Sequence, residues 1–545
     1  MKINFESKLI LYAFFGLYFL VGLLTYGDYG VNIEEHTQRY SGLYWLNYVV
    51  NFFEIESLKE NVLNYLNKTA SDYSLPDPRH FTYGPIFDLP AAFVDVVFNI
   101  EKTNLYFQYR HFLVFLIFYL SSIFFFKILI ERFNNFFVSF FGTLLYIFSP
   151  RIYGDSFHNN KDIIFLSFVV FSIFFAFKIF KKLKIKNILL FSLFAAIATS
   201  TRVIGLFLPI SLIIFLYLEK LNDKSKSNIK YIMIILITYF LFLFIHWPYL
   251  WENPFLHFIE YIIKSKDWIF SHYILFNGEY LLTTSLPDSF IFTWIGISSP
   301  ILNLILFFHG FFYISKRLFL RFILVNKEKN YNSDFWRSIG EMKDNYIFFN
   351  LVSIISILIF LNVSLVSGWR HLYFLNIFLI YFASFSIKIL STIFKKYKIR
   401  LVLTLLILFI PNIYKLIILH PFQSLYLNEI LNNENKNNFL IDREGLTRLD
   451  SVYKILALEA DKKKINIANA SFIPYYRIKD ALVEKDKKRV NFVGTDYVKA
   501  DYIYDNFVYE VDPKYNKKYK IPSNFKRVYQ LELNGIKMYK IYKRK

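Results

Sequence analysis

Two acidic clusters hold the residues whose types and spacing could do chemistry. Residues 27–40 read Gly-Asp-Tyr-Gly-Val-Asn-Ile-Glu-Glu-His-Thr-Gln-Arg-Tyr and place Asp28, Glu34 and Glu35 just after an apolar run. Residues 149–162 read Ser-Pro-Arg-Ile-Tyr-Gly-Asp-Ser-Phe-His-Asn-Asn-Lys-Asp, and Asp162 opens fifteen residues without a charge, Ile163 to Phe177. Arg110-His111, Thr201-Arg202 and Gly368-Trp369-Arg370-His371 place basic groups at the ends of other apolar runs. A carboxylate at a helix start is an ordinary N-cap, and ion pairing alone would account for the arginines. The same set also suits sugar transfer from a phosphate. One carboxylate takes the proton of a hydroxyl that attacks an anomeric carbon, through an oxocarbenium-like transition state. Arg or Lys stabilises the charge growing on the leaving phosphate. Glu34, Glu35, Asp155 and Asp162 could instead offer oxygen ligands to a hard cation.

The rest of the chain must position these groups, and it is built for a bilayer. Of 545 residues, 55% are hydrophobic, 21% aromatic and only 19% charged. Soluble domains carry about 25% charge, so disordered, collagen-like and disulfide-scaffold classes are excluded. There is no Cys, which excludes disulfides, thiolate zinc sites and a Cys nucleophile. The net charge of +21 falls largely in short loops between apolar runs. That is the positive-inside pattern, and it argues against nucleic acid as a partner.

A spanning helix needs about 20 apolar residues. Eleven runs qualify: 8–26, 111–130, 134–150, 162–180, 187–201, 203–219, 230–247, 296–314, 347–366, 372–390 and 399–419. Residues 82–100 are interrupted by Pro85, Asp88, Pro90 and Asp95 and read as interfacial or re-entrant. With the N-terminus cytoplasmic, the inner loops collect Lys178 to Lys186, Lys220 to Lys230 (Lys224 and Lys226 among them), Lys316 to Arg321 and Lys395 to Arg400. Three outer segments are long: 27–110, 248–295 and 420–545. The tail reads as a small α/β domain. Strands are expected at Ile465–Ala468, Val490–Val493 and Tyr502–Tyr504, a helix at 447–460, and a hairpin of Val528–Leu533 and Ile536–Tyr542 turning at Asn534-Gly535. The fold class is therefore mainly α: a polytopic membrane protein of about 11 transmembrane helices, with a long first outer loop and a small C-terminal α/β domain. The expected units are 1–430 and 431–545.

The motifs, in order, resemble the C-type membrane glycosyltransferases of the protein-O-mannosyltransferase and lipid A aminoarabinose-transferase group, including bacterial members. The residues that carry the resemblance are Glu34-Glu35 (usually Asp-Glu in that family), Tyr83-Gly84-Pro85, Ser149 to Asp162, Trp247 to Trp251, Gly278-Glu279, Gly368 to His371, and His420 to Asn428. One departure is clear: relatives usually read Asp-Tyr-Trp-Gly where this chain reads Asp442-Arg443-Glu444-Gly445, so an aromatic role there is lost. The resemblance implies a polyprenyl-phosphate sugar donor, inversion at the anomeric carbon, and a lipid, glycan or protein acceptor reached from the outer face. It implies no cofactor and no catalytic metal. Glu34 would be the general base, with Glu35 and Asp162 positioning donor or acceptor. Arg370, Arg202 and Lys161 would hold the phosphate. Tyr83, Asp155, His158, Asn160, His371, Gln423, Tyr426 and Asn428 complete the expected substrate-binding set. A bacterial inner membrane with a periplasmic tail is the implied setting.

Two other classes compete. A transporter or flippase for a lipid-linked or anionic solute would show internal repeats, broken mid-span helices or midplane charges, and the runs are largely charge-free. An outer-face assembly protein would account for the tail but not for the acidic loops.

Overall fold

The computed structural model describes residues 4–69, 82–222, 228–266, 271–323, 335–361, 363, 365, 367–460 and 464–545; Lys224 and Lys226 lie outside them. The chain is a multi-pass helical membrane protein with a small sheet near its C-terminal end. Helix α1 (Phe5–Thr25) leads into the first loop, which holds α2 (Ile33–Phe52), α3 (Glu56–Thr69) and α4 (Asp88–Val97). The bundle continues as α5 (Thr103–Phe133), α6 (Phe136–Ile147), α7 (Pro150–His158), α8 (Asp162–Lys181), α9 (Ile185–Thr201), α10 (Phe207–Asn222) and α11 (Ile229–His246). After α12 (Pro254–Lys266), a two-stranded hairpin β1–β2 (Tyr273–Phe276, Glu279–Leu282) and α13 (Ser289–Ser298) come α14 (Ile301–Ile323), α15 (Ile339–Phe360), α16 (Leu375–Ile393) and α17 (Lys398–Ile418).

Among the described residues, nine helices are long and apolar enough to cross a membrane. The bent pair α6–α7, turning by 63°, makes a tenth. Pro150 starts α7, where its missing N–H costs nothing, and this breaks the run expected at 134–150. The run expected at 187–201 is α9, apolar but only 17 residues long. The segment 82–100 is no span: α4 has 10 residues and packs on α2. There a Cβ on Gly42 would lie 2.2 Å from the Asp88 carbonyl oxygen.

Helix α8 is the axis of the bundle. It packs on α5, α9, α10, α15 and α16 and is apolar on every side, as a helix buried all round must be. Buried ion pairs tie both ends of α5. At its start, Asp95 accepts from Arg110 Nη2 at 2.6 Å and from the Tyr109 hydroxyl at 2.6 Å, with Arg39 at 3.6 Å. This folds the first loop back over the bundle. At its far end, about 30 Å away at 1.5 Å per residue, Asp344 of α15 takes Arg132 at 2.5 Å, Arg317 at 2.8 Å and the Tyr381 hydroxyl at 2.6 Å. Glu131 pairs there with Lys343 and Lys178.

The C-terminal part follows the expected elements closely. Helix α18 (Asn433–Lys436) and helix α19 (Arg448–Leu458) precede a five-stranded sheet in the order β4-β3-β5-β7-β6. Strand β3 (Ile465–Asn469) runs parallel to β4 (Val490–Phe492) and β5 (Tyr502–Asp505); β7 (Ile536–Arg544) is antiparallel to β5 and to β6 (Phe525–Leu533). Asn534 and Gly535 both take positive φ in the β6–β7 turn, the conformation that an Asn-Gly hairpin requires.

Asp344 is fully buried among two arginines. Asp344→Asn should therefore lower stability by about 3–5 kcal/mol, the usual cost of stranding a buried partner, read as an earlier thermal-unfolding midpoint in lipid.

Candidate active site

The first acidic pair is set by a helix cap. Asn32 closes the N-terminus of α2, accepting from the Glu34 N–H at 2.9 Å, while Glu35 reaches back to the Asn32 N–H at 2.7 Å. This is a capping box with Asn as the cap, and it fixes the division of labour. Glu35 is buried, and its second oxygen meets His111 Nε2 at 3.0 Å. Glu34 points the other way and stays 42% exposed, with its carboxylate 2.6 Å from Arg370 Nη2.

The second cluster is organised by Asn159, between α7 and α8. Its side-chain oxygen accepts from the Asp162 N–H at 2.8 Å, and its amide donates to the Asp162 carboxylate at 3.1 Å. Asp162 thereby starts α8 with its carboxylate turned toward the arginines. One oxygen pairs with Arg202, which follows α9; the other lies 3.0 Å from Arg370 Nε. Arg370 sits on a short turn between α15 and α16, reached through Gly368 at φ +59°. A Cβ at Gly368 would stand 3.0 Å from the Trp294 ring, so both conformation and space select glycine.

A third carboxylate comes from the tail. Glu444 accepts from Arg370 Nη1 at 3.0 Å, and its backbone carbonyl accepts from the Ile33 N–H at 3.0 Å. Asp442 stabilises this loop by accepting from Leu446 N–H and the Thr447 hydroxyl at 2.7 and 2.5 Å. Arg448 donates to the Val31 carbonyl at 2.8 Å. A Cβ on Gly30 would lie 2.4 Å from the Leu446 carbonyl oxygen, so the tail loop and the first loop meet backbone to backbone.

Arg370 thus spends its guanidinium on Glu34, Asp162 and Glu444, with His371 Nε2 a further 3.2 Å neighbour. Burial works against ionisation of Glu34, but the charge and hydrogen bond of Arg370 outweigh it and bring its pKa down to about 2. Lys161 differs. Its ammonium lies 3.1 Å from the centroid of the Tyr83 ring, a cation–π contact, with no hydrogen-bond partner among the described residues. Burial, helped by the nearby Arg202 charge, lowers Lys161 to about 7 despite Glu34 and Asp162. Burial also drives His371 well below the usual histidine range, so its ring is neutral. An open carboxylate, an unpaired lysine and a part-exposed Arg202 therefore line one spot, which can take a hydroxyl on one side and an anion on the other.

Among the other expected residues, Asn160 donates to Asp88 at 3.0 Å. Burial raises Asp88 to about 7 against the pull of Arg110 and Lys161. Asp155 accepts from the Tyr373 hydroxyl at 2.6 Å, and His158 lies buried beside it at 3.8 Å with neither ring nitrogen hydrogen-bonded. Two residues of the 420–428 motif use their side chains to hold backbone. Gln423 donates to the Leu416 carbonyl at 3.0 Å, and Asn428 to Gly296 and Ser299 at 2.6 and 2.7 Å. Tyr426 is buried and its carbonyl faces Arg151 at 3.4 Å. No cluster of three or more His, Asp or Glu suited to a metal occurs among the described residues. Sequence reading missed Glu444, whose only signal was an acidic residue where relatives usually read an aromatic one, and Asp88, visible only as a charge in an apolar stretch.

Comparison with curated proteins gives no match. A family comparison does. Residues 95–248, from α4 to just past α11, match the dolichyl-phosphate-mannose-protein mannosyltransferase family, which bears out the expected resemblance to C-type membrane glycosyltransferases over the stretch that carries Asp155, Lys161, Asp162 and Arg202.

Proposed function

We propose that this chain is an inverting glycosyltransferase that moves a sugar from a polyprenyl-phosphate donor to an acceptor hydroxyl at the membrane face where α1 ends. The observation that carries the reading is Glu34: a part-exposed carboxylate fixed by Arg370, within one nest with Arg202 and Lys161. Every one of these groups sits at a helix end or in a loop, which favours surface chemistry over passage of a solute through the midplane. The face is the periplasmic side of a bacterial inner membrane, with the N-terminus cytoplasmic.

In the reaction, Glu34 orients the acceptor hydroxyl toward the anomeric carbon. The bond from that carbon to the phosphate oxygen breaks, and its electron pair leaves with the phosphate. The new bond forms on the opposite face. A carboxylate of pKa about 2 is a weak base, and a weak base suffices here. In an oxocarbenium-like transition state the attacking oxygen becomes strongly acidic as it bonds to carbon, so its proton passes downhill to Glu34. Lys161 and Arg202 take up the charge that appears on the phosphate. Arg370 keeps Glu34 ionised and aimed; with its donors engaged by three carboxylates, it acts mainly as a positioning residue.

Two experiments test this reading. Glu34→Gln should lower kcat by about 10²–10⁴-fold, the usual contribution of a general base, with the fold retained. Glu35→Gln keeps the cap geometry and should lose less than about tenfold on the same scale. Transfer from a radiolabelled polyprenyl-phosphate sugar to membrane acceptors measures both, and equal losses would remove Glu34 from its role.

The second test is the pH profile of kcat/KM, which reports the free enzyme. Lys161, lowered to about 7, is a cation below that pH and neutral above it. Activity should therefore fall as pH rises from 6 to 8. Glu34, ionised above about 2, leaves no acid limb between pH 4 and 6. Lys161→Gln should abolish the alkaline limb, whereas Asp88→Asn should keep it; a limb that follows Asp88 instead would refute the assignment.

A further inference from the structure

A cavity of about 300 Å³ lies at the seam between the first loop, the start of α5, the segment after α17 and helix α19. It is separate from the Arg370 nest, and nothing in the proposed transfer uses it. Its volume sits at the low end of small-molecule sites, which run about 300–1,000 Å³. Asn104 and Gln108 stand one turn apart on α5 and line it. Both are half-buried, and neither side-chain amide has a hydrogen-bond partner among the described residues. Asp28 and Asp450 supply carboxylate oxygens, held by His420 at 2.9 Å and by the Tyr539 hydroxyl at 2.5 Å. Phe422 and Tyr453 supply aromatic surface.

The chemistry of this lining selects its ligand. Among the described residues no Lys or Arg lines the cavity, and two carboxylates do, so a phosphate or carboxylate ligand is repelled. Leu446, Leu449, Ala481 and Val483 give the wall apolar patches, but Asp28, Asn104, Gln108 and Asp450 interrupt them, which disfavours a purely hydrocarbon isoprenoid tail. A primary amide offers both donors and an acceptor, so two amides at i and i+4 can each grip a hydroxyl pair, while ring faces pack against sugar C–H groups. A neutral polyol ring satisfies all of these groups at once. The wall also leads to the reacting centre: Gly30 is two residues from Asn32, the cap that sets Glu34, and Leu446 is two residues from Glu444.

We propose that this cavity binds a neutral saccharide unit and that, resting on the reading of Glu34 as the transfer centre, this unit is the sugar of a glycan acceptor. Gly27 offers a clean probe. It lines the cavity, its φ is not positive, and a Cβ there would meet nothing within 4 Å. A Cβ at this position therefore meets no atom, and a bulky side chain there is the probe of the space.

The test uses the full chain in lipid nanodiscs carrying Glu34→Gln, so that nothing turns over. Neutral methyl glycosides and disaccharides are screened by saturation-transfer NMR, beside a short Ser/Thr peptide. At least one glycoside should bind. Gly27→Phe should abolish that binding, and the double variant Asn104→Ala/Gln108→Ala should weaken it at least tenfold, with thermal midpoints unchanged. Absence of glycoside binding, binding indifferent to both variants, or peptide binding with the same sensitivity would each overturn the proposal. Polyprenyl-phosphate binding, followed in the same discs, should be unmoved by Gly27→Phe. Loss of donor binding and transfer in the otherwise wild-type chain, with glycoside binding intact, would remove the transfer reading and leave the cavity assignment standing.

Discussion

One guanidinium joins parts of the chain that are otherwise far apart. Arg370 holds Glu34 from the first loop, Asp162 from the head of α8 and Glu444 from the tail. Each carboxylate would be costly to bury alone. Around a planar cation with five donors they become mutually tolerable, and the neighbouring Arg202 and half-protonated Lys161 bring the nest close to neutrality. A lysine could not do this, because a point charge on a flexible stem has no fork to divide among three partners. That one side chain ties together the first loop, the head of α8 and the tail loop, each of which also has local contacts of its own.

The opposite end of the bundle repeats the device with the signs exchanged. There one carboxylate, Asp344, receives Arg132 and Arg317. A count of basic residues in this region of the sequence says nothing of their pairing. Arg317 and Arg321 bind Asp344 and Glu341 of α15. A topology signal and a packing device are here the same residues.

Much of this was legible in the sequence. Apolar runs placed the spanning helices because the bilayer demands continuous length and little else. The run at 134–150 is bent at Pro150 into two helices, and the run at 187–201 is the short 17-residue α9, details that apolar length alone does not show. The Asn534-Gly535 turn announced its hairpin because few residues accept that backbone. At the candidate site, residue types placed Glu34, Asp162, Arg202 and Arg370 on one face, and the structure brings them together. What stayed hidden was long-range. Nothing near Glu444 marks it as a partner of a residue 74 positions away. Residue type alone does not separate Glu34 from Glu35; the cap at Asn32 turns Glu35 inward and leaves Glu34 facing outward. Gln423 and Asn428 look like ligand-binding residues, yet their amides hold carbonyls that the fold would otherwise strand.

The pairing of Glu444 with Arg370 also sets a clock. Glu34 leaves the ribosome some 410 residues before Glu444. At about 5–20 residues per second, this interval lasts roughly 20–80 s. Throughout it the acidic first loop exists without the tail loop that receives its Ile33 N–H and closes over Val31. The nest is therefore finished last, after every spanning helix has been made, so a chain interrupted during synthesis inserts its helices but lacks the contact that completes the site.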